Sequence, residues 1–340
     1  MLKIFTDTNY LTEKNRGIVF PLLFDLWYIK NKNIEDYYSL VDDFKLADIA
    51  VVPVDIAYFF KKNKTQWLYN FIDEGNRLNK KVWVYSAGDF GITLNKNIYT
   101  FRLGGFNSKL DKHTFILPAY TVDPYKLITN EFKTIPKDKL PQIGFVGNAD
   151  GTWAKLAKEF LIYLKLNFKR IFKNYFSDYQ EFYPSSLKRY QFLKALQKNN
   201  TVKTDFIFRK KYRAGAKTEQ QRKLTSLEFF ENVYNNPYTF CLRGSGNFSV
   251  RLYETLAMGR IPVVIDTDIR MPLGEVIDWE AHCVIVAEHD FMTKLIDFHK
   301  NINEKDFEQM QLNNRNLWLN YLNLEAYFIR IYSIFKEKII

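Results

Sequence analysis

Residues 238–279 read YTFCLRGSGNFSVRLYETLAMGRIPVVIDTDIRMPLGEVIDW, and four pieces follow one another in them. Tyr238–Leu242 is a short apolar, aromatic run that suits a buried strand. Arg243–Asn247 (RGSGN) is a loop of small residues. Phe248–Met258 places Phe248, Leu252, Leu256 and Ala257 at helical spacing, with Val250 and Tyr253 flanking. Ile261–Ile265 is a second buried strand, and Gly259 stands where the helix would end in a left-handed turn. Strand, glycine loop and helix together form a phosphate cradle. Glycine lets backbone approach a ligand, and the free N–H groups and dipole of a helix N-terminus favour an anion. Arg243 and Arg251 add charge at either end. Glu254, one turn beyond Arg251, can face the same cleft and accept from ribose hydroxyls, or the two can form a solvated pair. The residues alone predict a nucleotide or phosphorylated ligand.

Around this stretch, 340 residues give room for two domains, and a hydrophobic content of 47% excludes a disordered chain. The two cysteines, Cys241 and Cys283, lie in apolar runs and read as core residues. No run is long and apolar enough to be a signal peptide or a membrane span, which predicts a cytoplasmic protein. The net charge of +11 is concentrated. From Gly151 to Lys223 there are 18 Lys or Arg against 5 Asp or Glu, while the remainder is nearly balanced. That region could attract a nucleoside diphosphate, an anionic glycan or an anionic membrane face on which the protein sits peripherally, or simply be a solvated lysine-rich face.

Upstream, Leu2–Phe5, Ile49–Pro53, Lys81–Tyr85, Ile98–Phe101 and Thr114–Leu117 read as strands alternating with helical segments such as Gly17–Tyr28 and Trp67–Asn79. Alternation of this kind predicts a parallel sheet whose ligand crevice lies beyond the strand C-terminal ends. That rule points to Asp7, Asp55 and Asp89. Pro124–Pro141 reads as a linker. Beyond it come strands at Gln142–Val146, Thr204–Phe208 and Val284–Val286, and helices at Trp153–Phe172, Leu187–Gln197, Gln220–Tyr234 and Ala326–Lys336. Phe291–Leu322 reads as mainly helical. Arg209, Lys210, Lys211 and Arg213 cluster at a strand end. A hydride-transfer fold of the dinucleotide type is excluded, because Ser249 stands where the third glycine of the fingerprint belongs. The basic pI would fit a nucleic-acid binder, but no nucleic-acid-binding pattern is present.

The central stretch resembles the sugar-nucleotide half of the exostosin-type glycosyltransferases, family 47. The resemblance is carried by Cys241-Leu242-Arg243-Gly244, Ser249, Arg251, Glu254, Leu256, Gly259, Ile261-Pro262-Val263, Asp266, Pro272 and Ile277-Asp278-Trp279. Weaker echoes follow in order upstream: Ala47-Asp48…Val52-Pro53, Asp89-Phe90-Gly91 with Phe where the family has His, and Leu117-Pro118-Ala119-Tyr120. The resemblance implies an α/β GT-B fold of two Rossmann-like domains facing a cleft. The domains would be 1–130 on the acceptor side and 141–323 on the nucleotide-sugar side, with 324–340 crossing back to the first. It implies inverting transfer from a nucleotide-diphosphate sugar, UDP-sugar first, to a glycan or lipid-linked glycan acceptor in capsule or lipopolysaccharide synthesis. No resident cofactor or metal is implied. Asp266-Thr267-Asp268 is therefore read as loop chemistry, and nucleic acid is not an expected partner. On this reading Arg209 and Arg243 hold the phosphates with Gly244, Ser245, Gly246, Asn247 and Ser249, while Arg251 and Glu254 organise the donor site. The base is Asp89, with Asp7 and Asp55 as alternatives.

Overall fold

The β-branched and aromatic runs become strands, and every named pair of strands is parallel. The computed structural model describes residues 1–339; of Tyr212, Arg213, Lys338 and Ile339 it describes the backbone alone. The first sheet holds β1 (Leu2–Phe5), β2 (Tyr38–Val41), β3 (Ile49–Val51), β4 (Lys81–Ser86), β5 (Tyr99–Arg102) and β6 (Thr114–Ile116), in the order β2-β1-β3-β4-β5-β6. Short helices α1 (Pro21–Phe24), α2 (Lys32–Glu35) and α3 (Ala57–Lys61) and the longer α4 (Thr65–Arg77) connect its strands. β2 is an edge strand without a strong apolar run, which is why periodicity does not reveal it. The helical tendency of Gly17–Tyr28 also resolves differently. Val19 bridges to Val54, Pro21 starts α1 at its first position, and a π-turn ends at Lys30 with φ of 52°. Proline lacks the N–H that a continuous helix would need there.

The second sheet holds β7 (Gln142–Asn148), β8 (Lys203–Arg209), β9 (Tyr238–Cys241), β10 (Ile261–Ile265) and β11 (Val284–Val286), in the order β11-β10-β9-β7-β8. Its connections include α5 (Trp153–Ile171), α6 (Ser185–Gln197), α7 (Glu219–Asn235) and α8 (Val250–Ala257). β9 and β10 are buried along their whole length, as continuous apolar runs in a doubly covered parallel sheet should be. Gly259 ends α8 with φ of 66°, the left-handed turn expected of it. After β11, α9 (Phe291–Asn301) and α10 (Glu304–Leu317) are separate, because Asn303 caps α10 by accepting from the Asp306 N–H at 2.8 Å.

A π-turn at Trp318–Leu322 then redirects the chain into α11 (Leu324–Ile339), which returns to the first sheet. There the Tyr38 hydroxyl donates to the Phe328 carbonyl at 2.7 Å, and Phe335 packs edge-on against Trp83 with centroids 4.6 Å apart. One hydrophobic cluster runs from the first sheet through α11 and α8 to Cys241 and Val264 of the second. A separate cluster fills the opposite face of the second sheet, under α6, α9 and α10. Two parallel α/β domains, with the last helix crossing back, make the GT-B architecture expected of the chain. Cys241 and Cys283 are buried and unbridged, and burial pushes the Cys241 thiol up to about 12.

Candidate functional site

In the second sheet β7 is flanked by β8 on one side and β9 on the other, so the chain reverses its winding direction between β7 and β9. A ligand crevice opens at the C-terminal ends of such a strand pair. Arg189 spans this point. It projects from the first turn and a half of α6 and donates from Nη1 to the Asn148 carbonyl and from Nη2 to the Arg243 carbonyl, each at 2.9 Å. Arg243, only 4% exposed, donates from Nη2 to Gln180 Oε1 and to the Ser245 carbonyl, each at 2.9 Å. Its guanidinium lies over Tyr183 at 4.7 Å and Phe106 at 5.1 Å. Arg251, in the first turn of α8, donates to the Val146 carbonyl at 3.0 Å and stacks on Phe145 at 4.4 Å. Gly147 makes room for it, since a Cβ there would meet Arg251 Nη2 at 2.6 Å.

Burial pushes the Arg189 and Arg243 guanidinium groups down to about 10, and the positive charge of Arg251 adds to the shift of Arg189. Burial likewise lowers Arg251, against the opposing effect of Cys241 and Glu254. Arg189 and Arg243 remain cationic at neutral pH. In all three arginines, and in Arg209, the Nε is buried without a hydrogen-bond partner among the described residues. Leaving a buried donor unsatisfied costs about 1–3 kcal/mol. Several such donors around one strand end form a site that an anion would relieve. Ser249 occupies the N-cap of α8 without capping it through its side chain. Leu252 N–H turns back to the Ser249 carbonyl at 3.2 Å, and the Val250 and Arg251 N–H groups keep their capacity for an anion beside Arg243 and Arg189. A Cβ on Gly244 would meet nothing within 4 Å, so that loop face is open to a ligand.

The remaining candidates fall into different places. Arg209 pairs with Glu228 and donates to the Thr225 carbonyl at 2.8 Å, so its Nη2 is committed within the domain. The Lys210 carbonyl accepts from Asn148, and the side chain of Arg213 lies outside the described residues. Asn247 is wholly buried, and its side chain is used up in the joint between domains rather than turned to a phosphate. It donates to the Thr267 and Asp268 carbonyls at 2.9 Å, reaches the Gly105 carbonyl at 3.4 Å and accepts from Thr267 Oγ1 at 2.6 Å. Asp266 and Asp268 serve the same joint. Asp266 accepts from the Asp268 N–H at 2.9 Å, and Asp268 accepts from the Ser108 backbone at 3.1 Å. Glu254 is half-buried on α8, one turn beyond Arg251.

Asp89 faces this loop from the first domain. A Cβ on Gly246 would lie 2.1 Å from the Asp89 carbonyl oxygen, so only glycine allows the two loops to touch. The Asp89 side chain reaches the surface, yet desolvation by the surrounding protein raises its carboxyl above the usual carboxylate range. Asp7 is instead a cap, accepting from the Asn9 N–H at 3.1 Å and Nδ2 at 2.9 Å. Asp55 is buried and ties two loops, accepting from the Ala57 and Ala87 N–H groups at 3.2 and 3.1 Å. Burial raises its carboxyl and these two bonds oppose the shift. Arg189 and Gln180 are the residues that sequence reasoning missed. Nothing in a lysine-rich helix singles out one arginine; only the approach of α6 to the β7–β9 gap does.

Residues 172–301, which contain Arg189, Arg209, Arg243 and Arg251, match the model of the exostosin GT47 domain. Mouse exostosin-2 is 36% identical over 98 residues, covering 28% of this chain and 13% of that protein. The exostosin-1 homolog of Caenorhabditis elegans is 34% identical over 97 residues, covering 28% of this chain and 25% of that protein. The chain thus spans a quarter or less of the length of these relatives. Among solved structures, a glycosyltransferase from Rickettsia africae aligns over 99% of this chain and 98% of its own, at 12% identity and a TM-score of 0.40. The glycosyltransferase WaaG aligns over 98% of this chain and 100% of its own, at 10% identity and a TM-score of 0.33. The match to the exostosin GT47 domain over 172–301 spans the residues that line the crevice between β7 and β9, and in this respect the chain is exostosin-like.

Proposed function

We propose that the chain is an inverting glycosyltransferase that moves a sugar from a nucleoside-diphosphate sugar, a UDP-sugar first, to a glycan or lipid-linked glycan acceptor without a resident metal. The observation that carries this reading is the set of incompletely paired arginines Arg189, Arg243 and Arg251, each with a buried Nε, at the β7–β9 crevice beside the N-terminus of α8. The diphosphate leaving group would gather negative charge there, where cationic donors and helix N–H groups are already in position. Asp89, across the cleft, takes the proton from the acceptor hydroxyl as that oxygen attacks the anomeric carbon and the bond to the diphosphate breaks. Its raised carboxyl suits a general base better than an ordinary aspartate would. Glu254 is assigned to the ribose hydroxyls, one turn beyond Arg251. A surface polysaccharide such as a capsule or lipopolysaccharide side chain is the product class we assign.

Calorimetry and thermal shift with UDP, GDP, CMP, ADP and dTDP, with and without EDTA, test the donor side. A single diphosphate should stabilise the wild type irrespective of EDTA. Arg243→Ala and Arg189→Met should each weaken it by about 10-fold or more, the magnitude of a lost charge-assisted hydrogen bond. Stabilisation by no nucleotide, or equal stabilisation of both variants, would overturn the assignment.

A further inference from the structure

Most of the large apolar side chains of α5 are exposed. None of its residues is buried, although the helix runs from Trp153 to Ile171. Trp153, Phe160, Leu161, Leu164, Phe168 and Ile171 recur at helical spacing on one face, and their exposures range from 43% for Phe160 to 83% for Trp153. One flank of the helix does the packing. Leu156, Tyr163, Asn167 and Arg170 are half-buried, and Arg170 donates to the Ser177 and Asp178 carbonyls at 3.1 and 3.0 Å. Lys158, Lys165 and Lys169 lie exposed along one border of the apolar face. No described helix is long and apolar enough to cross a membrane, α5 included.

We propose that α5 is a docking helix that lies in the plane of an anionic bilayer surface. An apolar stripe of aromatic and aliphatic side chains bordered by lysines is the pattern of an interfacial helix, which sinks its apolar face to the headgroup boundary and draws its cations to anionic lipid. Charge complementarity selects the occupant. The region from Gly151 to Lys223 carries 18 basic against 5 acidic residues, and the aliphatic part of the stripe, Leu161, Leu164 and Ile171, suits acyl chains and not nucleic-acid bases.

The position of α5 supports the same occupant. The segment that follows it folds onto the loop carrying Asp89. Asp178 donates its N–H to the Gly91 carbonyl at 2.8 Å, and its carboxylate accepts from Thr93 N–H and from buried Arg102, each at 2.8 Å. A bilayer under α5 therefore lies close to the rim of the cleft, where a lipid-linked acceptor would be offered to Asp89. That last consequence rests on the transfer reading above; the docking itself does not.

Sedimentation of the full chain with phosphatidylcholine vesicles, alone or with about a third phosphatidylglycerol, tests the proposal. The wild type should bind the anionic vesicles at least about 10-fold more tightly, and salt should weaken the binding. Trp153→Ser/Phe168→Ser/Ile171→Ser and Lys158→Glu/Lys165→Glu/Lys169→Glu should each lose about 10-fold or more, because both contributions are needed. Their nucleotide-induced thermal shifts should match the wild type, which separates a docking defect from misfolding and from failure of the donor site. Equal binding by the wild type and both variants would overturn the proposal. So would the absence of vesicle binding, or a dimer that only the serine variant breaks.

Discussion

At the scale of single residues, the cleft depends on contacts that one atom can disturb. Asp89 and Gly246 meet backbone to backbone, and the aspartate stands in a desolvated position that raises its carboxyl. If it is the base, its ionised form is the active one. The rate should therefore fall as pH drops through a value above the ordinary 3.8, so the acid limb of kcat/KM lies higher than for an unperturbed aspartate. Asp89→Asn should lower kcat by about 10²–10⁴-fold, abolish that limb and leave nucleotide affinity within about twofold. An unchanged rate in steady-state kinetics would remove Asp89 from the mechanism. Arg189 shows the converse case. Its identity is ordinary in the sequence, and its importance comes from where α6 delivers it.

At the scale of elements, the helix–turn–strand from α8 to β10 holds the crevice in register. Gly259 adopts φ of 66°, and a Cβ there would meet Phe132 at 2.4 Å and Arg315 Cβ at 3.1 Å. Phe132 belongs to the linker and Arg315 to α10, so one turn locks three segments. Gly259→Ala adds left-handed strain of about 1–2 kcal/mol and overpacking of about 1–3 kcal/mol. Urea denaturation should show a loss of about 2–5 kcal/mol, with nucleotide affinity little changed in the folded fraction. A loss below about 0.5 kcal/mol would mean that linker and α10 yield freely at this turn.

At the scale of the whole molecule, the two domains share one cluster of side chains and a polar joint. Phe328 of α11 is wholly buried and packs near Phe20 and Phe101 of the first domain. Phe328→Ala should cost about 3–5 kcal/mol, although it changes the helix that ends the chain. Because the cluster reaches Cys241 and Val264, far-ultraviolet dichroism and the near-ultraviolet signal should lose structure in the same transition. Two separated transitions would show that the domains fold independently of α11.

Local sequence carries the parallel α/β class, the strands of both sheets except β2, and the strand–loop–helix–strand from Tyr238 to Ile265. These follow from local periods and from residues whose backbone preferences are strong, such as Gly259 and Pro262. The assignment of Asp7, Asp55 and Asn247 was decided by the tertiary structure, which turns Asp7 to a cap and buries Asp55 and Asn247 in loop joints. It also brought Arg189 to the crevice and left the apolar face of α5 outside. Those outcomes depend on which helix packs over which strand gap, and Asn148, Arg189 and Arg243, distant in the chain, meet only when the second sheet has formed.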